Sequence, residues 1–337
     1  MFGLIRVHRR LAVRDSVKQD RGWLAARFVL STTLFGVTAL LWVGSAQPAT
    51  LMGSMELVLA EADDSQIIKA TPAGAFRFLT QASFGPTVRD LNRVQTMGIP
   101  AYLENQFAQP VSGYPDLQYT YLSTRLSADC NNKDPSGNAY PASAPQAICY
   151  RDNLTPAGVQ RQFFTNAMTQ PDQLRQRVAW ALAQLMVVST VEPDLSVAYV
   201  LARYHNILFA EAFGNFENLL KRVTLSPAMG TYLNMANNDK ASGTQVPNEN
   251  YAREILQLFS IGLTELQADG RTKTDSASNP VPTYDQATIK QFARVFTGWT
   301  YPSASSAPTT GKNPRYYAGP MEPYPNAHDT AVKTLLN

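Results

Sequence analysis

The sequence predicts a mainly α fold, an irregular domain of about nine helices carrying one small β-hairpin. Three observations lead there. Apolar residues recur at three- and four-residue spacing through most of the chain after residue 70, in runs bounded by Pro, Gly and Ser, Thr, Asp or Asn. Strand-like and helix-like segments do not alternate, which argues against an open parallel sheet. Only Thr264–Gln267 and Arg271–Thr274, flanking Ala268-Asp269-Gly270, read as a hairpin. At 45% hydrophobic and 16% charged, the 337 residues have a globular composition and the length for a sizeable core.

The helices follow in order. Pro72 opens PAGAFRFLTQASFG, which Gly85 stops. Thr87 and Asp90 make a capping box for a helix ending at Gly98, and Ile99-Pro100 starts a short one closed by Pro110. Residues 110–157 lack periodicity and read as an excursion. Gln160–Met168 and Pro171–Ser189 are amphipathic, the second expected to bury Leu174, Val178, Ala181 or Leu182, and Leu185. Val197–Phe213 and Asn215–Ser226 are further helices, Pro227–Asn237 is short and ambiguous, and a polar loop runs to Pro247. Thr283 or Asp285 caps DQATIKQFARVFTGW, which ends at Gly298, and Asp329 is expected to cap a helix over Ala331–Leu336.

The stretch richest in chemistry is Asn248–Gly262, NENYAREILQLFSIG, read as a helix of about three turns. Tyr251, Ile255, Leu258 and Phe259 form its apolar stripe. Asn250, Arg253, Glu254 and Gln257 fall at i, i+3, i+4 and i+7 and form a polar one, and Glu249 precedes Arg253 by four residues, as in a helical ion pair.

The net charge of +3 is unevenly placed. Residues 1–46 carry seven Lys or Arg against Asp15 and Asp20, and the remainder holds 22 basic and 24 acidic residues. No basic patch interleaved with aromatics occurs there, which excludes nucleic acid as a partner class. The basic start precedes uncharged Phe28–Val43 and then small residues, the order of an export signal. Residues 1–49 are therefore an export signal or N-terminal membrane anchor, residues 28–46 contacting the membrane if uncleaved, and 50–70 are a spacer to the helical domain 71–337. Either reading sends the chain out of the cytoplasm. There Cys130 and Cys149 are expected to form a disulfide, worth about 3 kcal/mol in the chain-entropy model; the alternative is two reduced thiols in a loop.

Six ordered blocks then carry a resemblance: AFRFLTQASFGPT, QLRQRVAWALAQLMVVS, AFGNFENLLKRVTLSPAMGTYL, PNENYAREILQLFSIGL, PTYDQATIKQFARVFTGW and HDTAVKTLL. Together they span roughly residues 74–337, and the chain resembles the domain of unknown function 1800 family. The resemblance implies an exported, mainly helical bacterial protein, encoded beside a second exported family that looks like sulfatases. It supplies no reaction. It also implies a further helical portion beyond Asn337, so the domain is expected to be truncated at its C-terminal end. A family-typical Tyr-Asp stands here as Tyr204-His205-Asn206.

Candidate site residues follow from residue chemistry. Glu254 is the best acid or base, flanked by Arg253 and Asn250, whereas Glu249 lies about 140° away around the helix. The competing reading is an Arg–Glu and amide network that ties helices together. Gln257, Trp299, His328 and Asp329 are candidate binding residues, and His328 and Asp329 would supply a divalent metal with ligands, joined by Glu254 or Asn250. His205 reads as a helical histidine packed in place. No G-x-S-x-G, phosphate-loop or dinucleotide fingerprint occurs. Two functions result: an exported cell-envelope binding or assembly protein that meets an envelope polymer or protein through loops 110–157 and 300–327, or an exported hydrolase-like enzyme using Glu254 with Arg253 and the His328-Asp329 loop.

Overall fold

Helices begin where side chains satisfy the free N–H groups of a first turn. Thr71 Oγ1 accepts from Gly74 N–H at 3.1 Å and Thr87 Oγ1 from Asp90 N–H at 3.1 Å, opening α1 (Pro72–Ala82) and α2 (Val88–Phe107). A computed structural model of the chain describes residues 70–115, 130, 133, 136–304 and 311–336. The stretch read as an export signal or anchor, and almost all of that read as a spacer, lie outside those residues. Gly98, at φ 81°, breaks α2 at the glycine expected to end one helix before the next. Its two halves run on as one kinked element.

Then come α3 (Pro145–Leu154), α4 (Pro156–Thr169), α5 (Gln173–Leu185), α6 (Ala198–Glu211), α7 (Phe216–Thr224), α8 (Pro227–Tyr232), α9 (Asn250–Gln257) and α10 (Gln286–Val295). The chain is mainly α, with ten helices among the described residues and a two-stranded antiparallel sheet of β1 (Trp299–Thr300) and β2 (Glu322–Pro323). No described helix is long and apolar enough to cross a membrane.

The main core is built on α6, which packs against α3, α4, α5, α7 and α8. Its Ala198–Ala202 run, Tyr204, Leu208 and Phe209 are all buried, so nearly its whole circumference is enclosed. A smaller cluster of Ala75, Leu79, Val94 and Tyr102 joins α1 to α2. Helix α7 shows the macrodipole pattern, with Asn215 capping it, Glu217 in the first turn and Lys221 and Arg222 in the last.

Several elements depart from the sequence reading. Helix α3 forms inside the stretch read as an excursion. It buries no residue, so no apolar period announces it, and the disulfide to Cys130 holds its Cys149. Helix α5 is rolled from part of its expected face: Leu182 packs on the main core and Leu174 and Val178 are half-buried, but Arg175, Gln176 and Ala179 are the buried residues, while Leu185 is 56% exposed and Ala181 is exposed. Helix α9 is shorter than three turns. The N–H groups of Ile261 and Gly262 both return to Leu256 O, at 3.1 and 2.9 Å, so Leu258 falls past the helical stripe and is 59% exposed. Leu256 takes its place in the core.

The Ala268-Asp269-Gly270 turn forms, Gln267 N–H donating to Arg271 O at 2.8 Å. Its flanks make only isolated bridges, Leu266 to Thr272, Thr264 to Pro282 and Thr274 to Pro280. Residues 331–336 are not helical. Lys333 Nζ instead donates to the carbonyls of Asp329 and Ala331 at 2.5 and 2.9 Å, which folds the segment back, while Leu335 and Leu336 pack on the core.

The rolled face of α5 has a task. It receives Ser112–Tyr114, an extended segment that enters the helical domain without a strand to pair with. Asp172, fully buried, accepts from Ser112 N–H at 2.8 Å, and Gln176 and Asn166 donate to Ser112 O at 2.7 and 3.1 Å. Asn206 then takes both backbone groups of Tyr114, accepting from N–H at 2.8 Å and donating to C=O at 2.9 Å. Gly113 is required there, because a Cβ would lie 2.5 Å from Asn206 Oδ1. We expect Asn206→Ala to lower stability by about 1–3 kcal/mol, since two backbone groups lose their partner. Thermal melting checks this, and an unchanged Tm would remove the clamp from the account.

Candidate functional site

The polar face of α9 is occupied in three directions. Asn248 Oδ1 accepts from Asn250 N–H at 2.9 Å and opens the helix. Arg253 Nη2 donates to Glu249 Oε2 at 3.1 Å and to Gln286 Oε1 at 3.3 Å, while Gln286 Nε2 donates to Glu249 Oε2 at 2.7 Å. The helical ion pair is thus extended into a triangle that fastens α9 to the first turn of α10. Asn250 Nδ2 reaches Asn234 Oδ1 at 2.7 Å, on a residue with φ 56°. Gln257 is half-buried at the end of α9.

Glu254 stands apart from this triangle. Its Oε2 is buried without a hydrogen-bond partner, and the residue lines a cavity of about 310 Å³ with Gln184, Tyr232, Leu233 and Phe259. Burial raises the pKa of the Tyr284 phenol, with Arg253 lowering it and Glu254 raising it in smaller measure, and the phenol oxygen is also without a partner.

His328 and Asp329 lie elsewhere. Asp329 is gripped by Arg294, Nε to Oδ2 at 2.8 Å and Nη2 to Oδ1 at 3.1 Å, a bidentate pair. These bonds, helped by Ala331 N–H and Lys333, hold the Asp329 pKa down at about 2. His328 Nδ1 lies 2.8 Å from Thr297 O, and since a carbonyl only accepts, Nδ1 carries the proton. Gln286 and Arg294 are eight residues apart on α10, about 12 Å of helix. The Arg253 triangle and the Asp329 pair therefore sit toward opposite ends of α10. Among the described residues no three of His, Cys, Asp and Glu converge as a metal set.

Trp299 is half-buried against the main core, with its carbonyl accepting from Asn237 N–H at 2.7 Å. Gly298, at φ 77°, stops α10, and a Cβ there would meet the His328 backbone at 2.7 Å. That contact sets the loop's path. His205 packs edge-on to Tyr114 and Tyr204, and burial lowers its pKa to about 4.

A larger cavity, about 660 Å³, was not legible in the sequence. It opens between α6 and α7 and is lined by Arg203, Lys221, Arg222, Tyr114, Tyr204 and Tyr317, among others. Arg222 pairs with Glu211 at 2.6 Å within this lining. Lys221-Arg222 is the one signal that pointed there, and in sequence it reads as a helix C-terminus complementing the dipole. The tyrosines come from three separated segments, so no spacing unites them.

The family model described as a protein of unknown function (DUF1800) matches residues 77–337. No curated protein and no solved structure matches the chain.

The Asp329–Arg294 pair gives a pH test. A carboxyl with a depressed folded pKa adds stability above its unfolded value, near 3.8, and loses it as pH falls through about 2. Allowing for screening at this partly exposed pair, we expect Asp329→Asn to cost about 1–2 kcal/mol at pH 7. The difference from the native chain should shrink between pH 4 and 2. Denaturant titrations at a series of pH values check it, and a pH-independent difference would assign the loss to packing.

Proposed function

The chain belongs to the DUF1800 family, and from that premise we propose that it is an exported cell-envelope protein with a binding or assembly role, whose ligand is an anionic envelope polymer. The observation that carries this is the cavity between α6 and α7. Its volume falls in the range of ligand sites, and its described walls combine tyrosine rings with Arg203, Lys221 and Arg222 and one acid, Glu211. Aromatic faces suit the apolar faces of sugar rings, and the cations suit anionic substituents. The sulfatase-like neighbour that the family resemblance implies would meet the same class of polymer.

Export is supported by the order of basic and apolar residues at the N-terminus and by the Cys130–Cys149 disulfide, which suits an oxidising compartment. The alternative, a hydrolase-like enzyme using Glu254 with Arg253 and the His328-Asp329 loop, draws less support. Arg253 is engaged by Glu249 and Gln286, and Asp329 by Arg294.

Affinity chromatography on dextran sulfate and on neutral dextran tests the binding reading. We expect retention on the sulfated matrix alone, with elution by rising salt, and earlier elution of the Lys221→Gln/Arg222→Gln double variant. Equal elution of variant and native chain would sink the assignment of this cavity.

A further inference from the structure

The smaller cavity carries a proposal independent of polymer binding. It lies where the ends of α5 and α8 meet α9, and it shares no lining residue with the basic cleft. Glu254 Oε2 is buried on its wall with no donor. A carboxylate oxygen kept from water without a hydrogen bond is costly, and the protein leaves it so while Arg253, next along the chain, turns to Glu249 and Gln286. Around this oxygen the walls are chiefly apolar. Phe259 is buried among them, whereas Leu185, Val187 and Leu258 are 56%, 42% and 59% exposed and form an apolar rim.

We propose that this cavity receives a primary alkylammonium group, a lysine side chain presented by a partner polypeptide. The ammonium supplies the donor missing at Glu254 Oε2, and the aliphatic stem lies between Leu185 and Leu258. One orphan oxygen suits the compact point charge of an ammonium better than the planar fork of a guanidinium. A single carboxylate among apolar side chains does not offer the six or more oxygens that a hard divalent cation takes. The rim points to the source of the amine. Three large apolar side chains stay wet around a free amine, and a chain laid across the mouth covers them.

The test titrates the full chain, followed by NMR, with acetylated and amidated Ala-Leu-Lys-Leu-Ala, with its norleucine counterpart, and with n-butylamine. The lysine peptide is expected to bind, and the norleucine peptide to bind roughly tenfold more weakly or not at all. Glu254→Gln should bring the lysine peptide down to the norleucine level. Val187→Ser, at an exposed rim position that the stem does not occupy, should weaken the peptide several-fold while leaving n-butylamine unchanged, and it keeps the test alive if Glu254→Gln fails to fold. Absence of binding by the lysine peptide, equal binding by the norleucine peptide, or indifference to Glu254→Gln overturns the proposal. Butylamine binding as tightly as the peptide overturns the polypeptide source.

Discussion

An extended backbone segment that enters a helical domain without a strand beside it must find hydrogen-bond partners among side chains. At Ser112–Tyr114 the partners are Asp172, Gln176, Asn166 and Asn206, drawn from α4, α5, α6 and the residue before α5. This constraint accounts for much of the interior. It decides which face of α5 turns inward, because Asp172 and Gln176 serve the segment only from there. It also brings Arg175 inward, where Nη1 donates to Phe209 O at 3.0 Å in the last turn of α6 and the guanidinium stacks on Phe213. Tyr114, seated by Asn206, in turn forms part of the wall of the basic cleft and packs against His205.

The same economy of polar groups shapes α9 and the C-terminal loop. Long charged side chains near the core are mostly taken up in pairs that join elements: Glu249 and Arg253 fasten α9 to α10, and Arg294 with Asp329 fastens α10 to the segment after β2. A bidentate Arg–Asp pair with a strongly depressed carboxyl pKa is a good fastener and a poor proton donor. Against that background Glu254 is unusual. Its environment differs from that of its neighbours on the same stripe because it faces the ends of α5 and α8 and not α10.

The helical class, most helix starts and the chemistry of the caps were legible because they are local. Thr87 and Asp285 cap where short-range patterns place them, and Gly98, Gly270 and Gly298 take positive φ where the pattern breaks. The Glu249–Arg253 pair was readable from its four-residue spacing. Helix α3 was not, since it buries nothing and so leaves no apolar period. The core face of α5 was read correctly at Leu182 but not at Leu185 or Arg175, because the rule that apolar residues face inward yielded to a buried polar network formed with residues about 60 positions away.

Sequence alone determined the mainly α class, the capping and breaking points, the family resemblance and the set of residues able to do chemistry, all of which depend on neighbours a few positions apart. The tertiary structure alone decided which of those residues are already engaged. Arg253 and Asp329 became fasteners, Glu254 kept an unpartnered oxygen, and tyrosines and cations from distant segments met around one cavity. The physical reason is the same in each case. A hydrogen bond or a cavity wall belongs to groups brought together by packing, and packing across long sequence separations leaves no period in the chain.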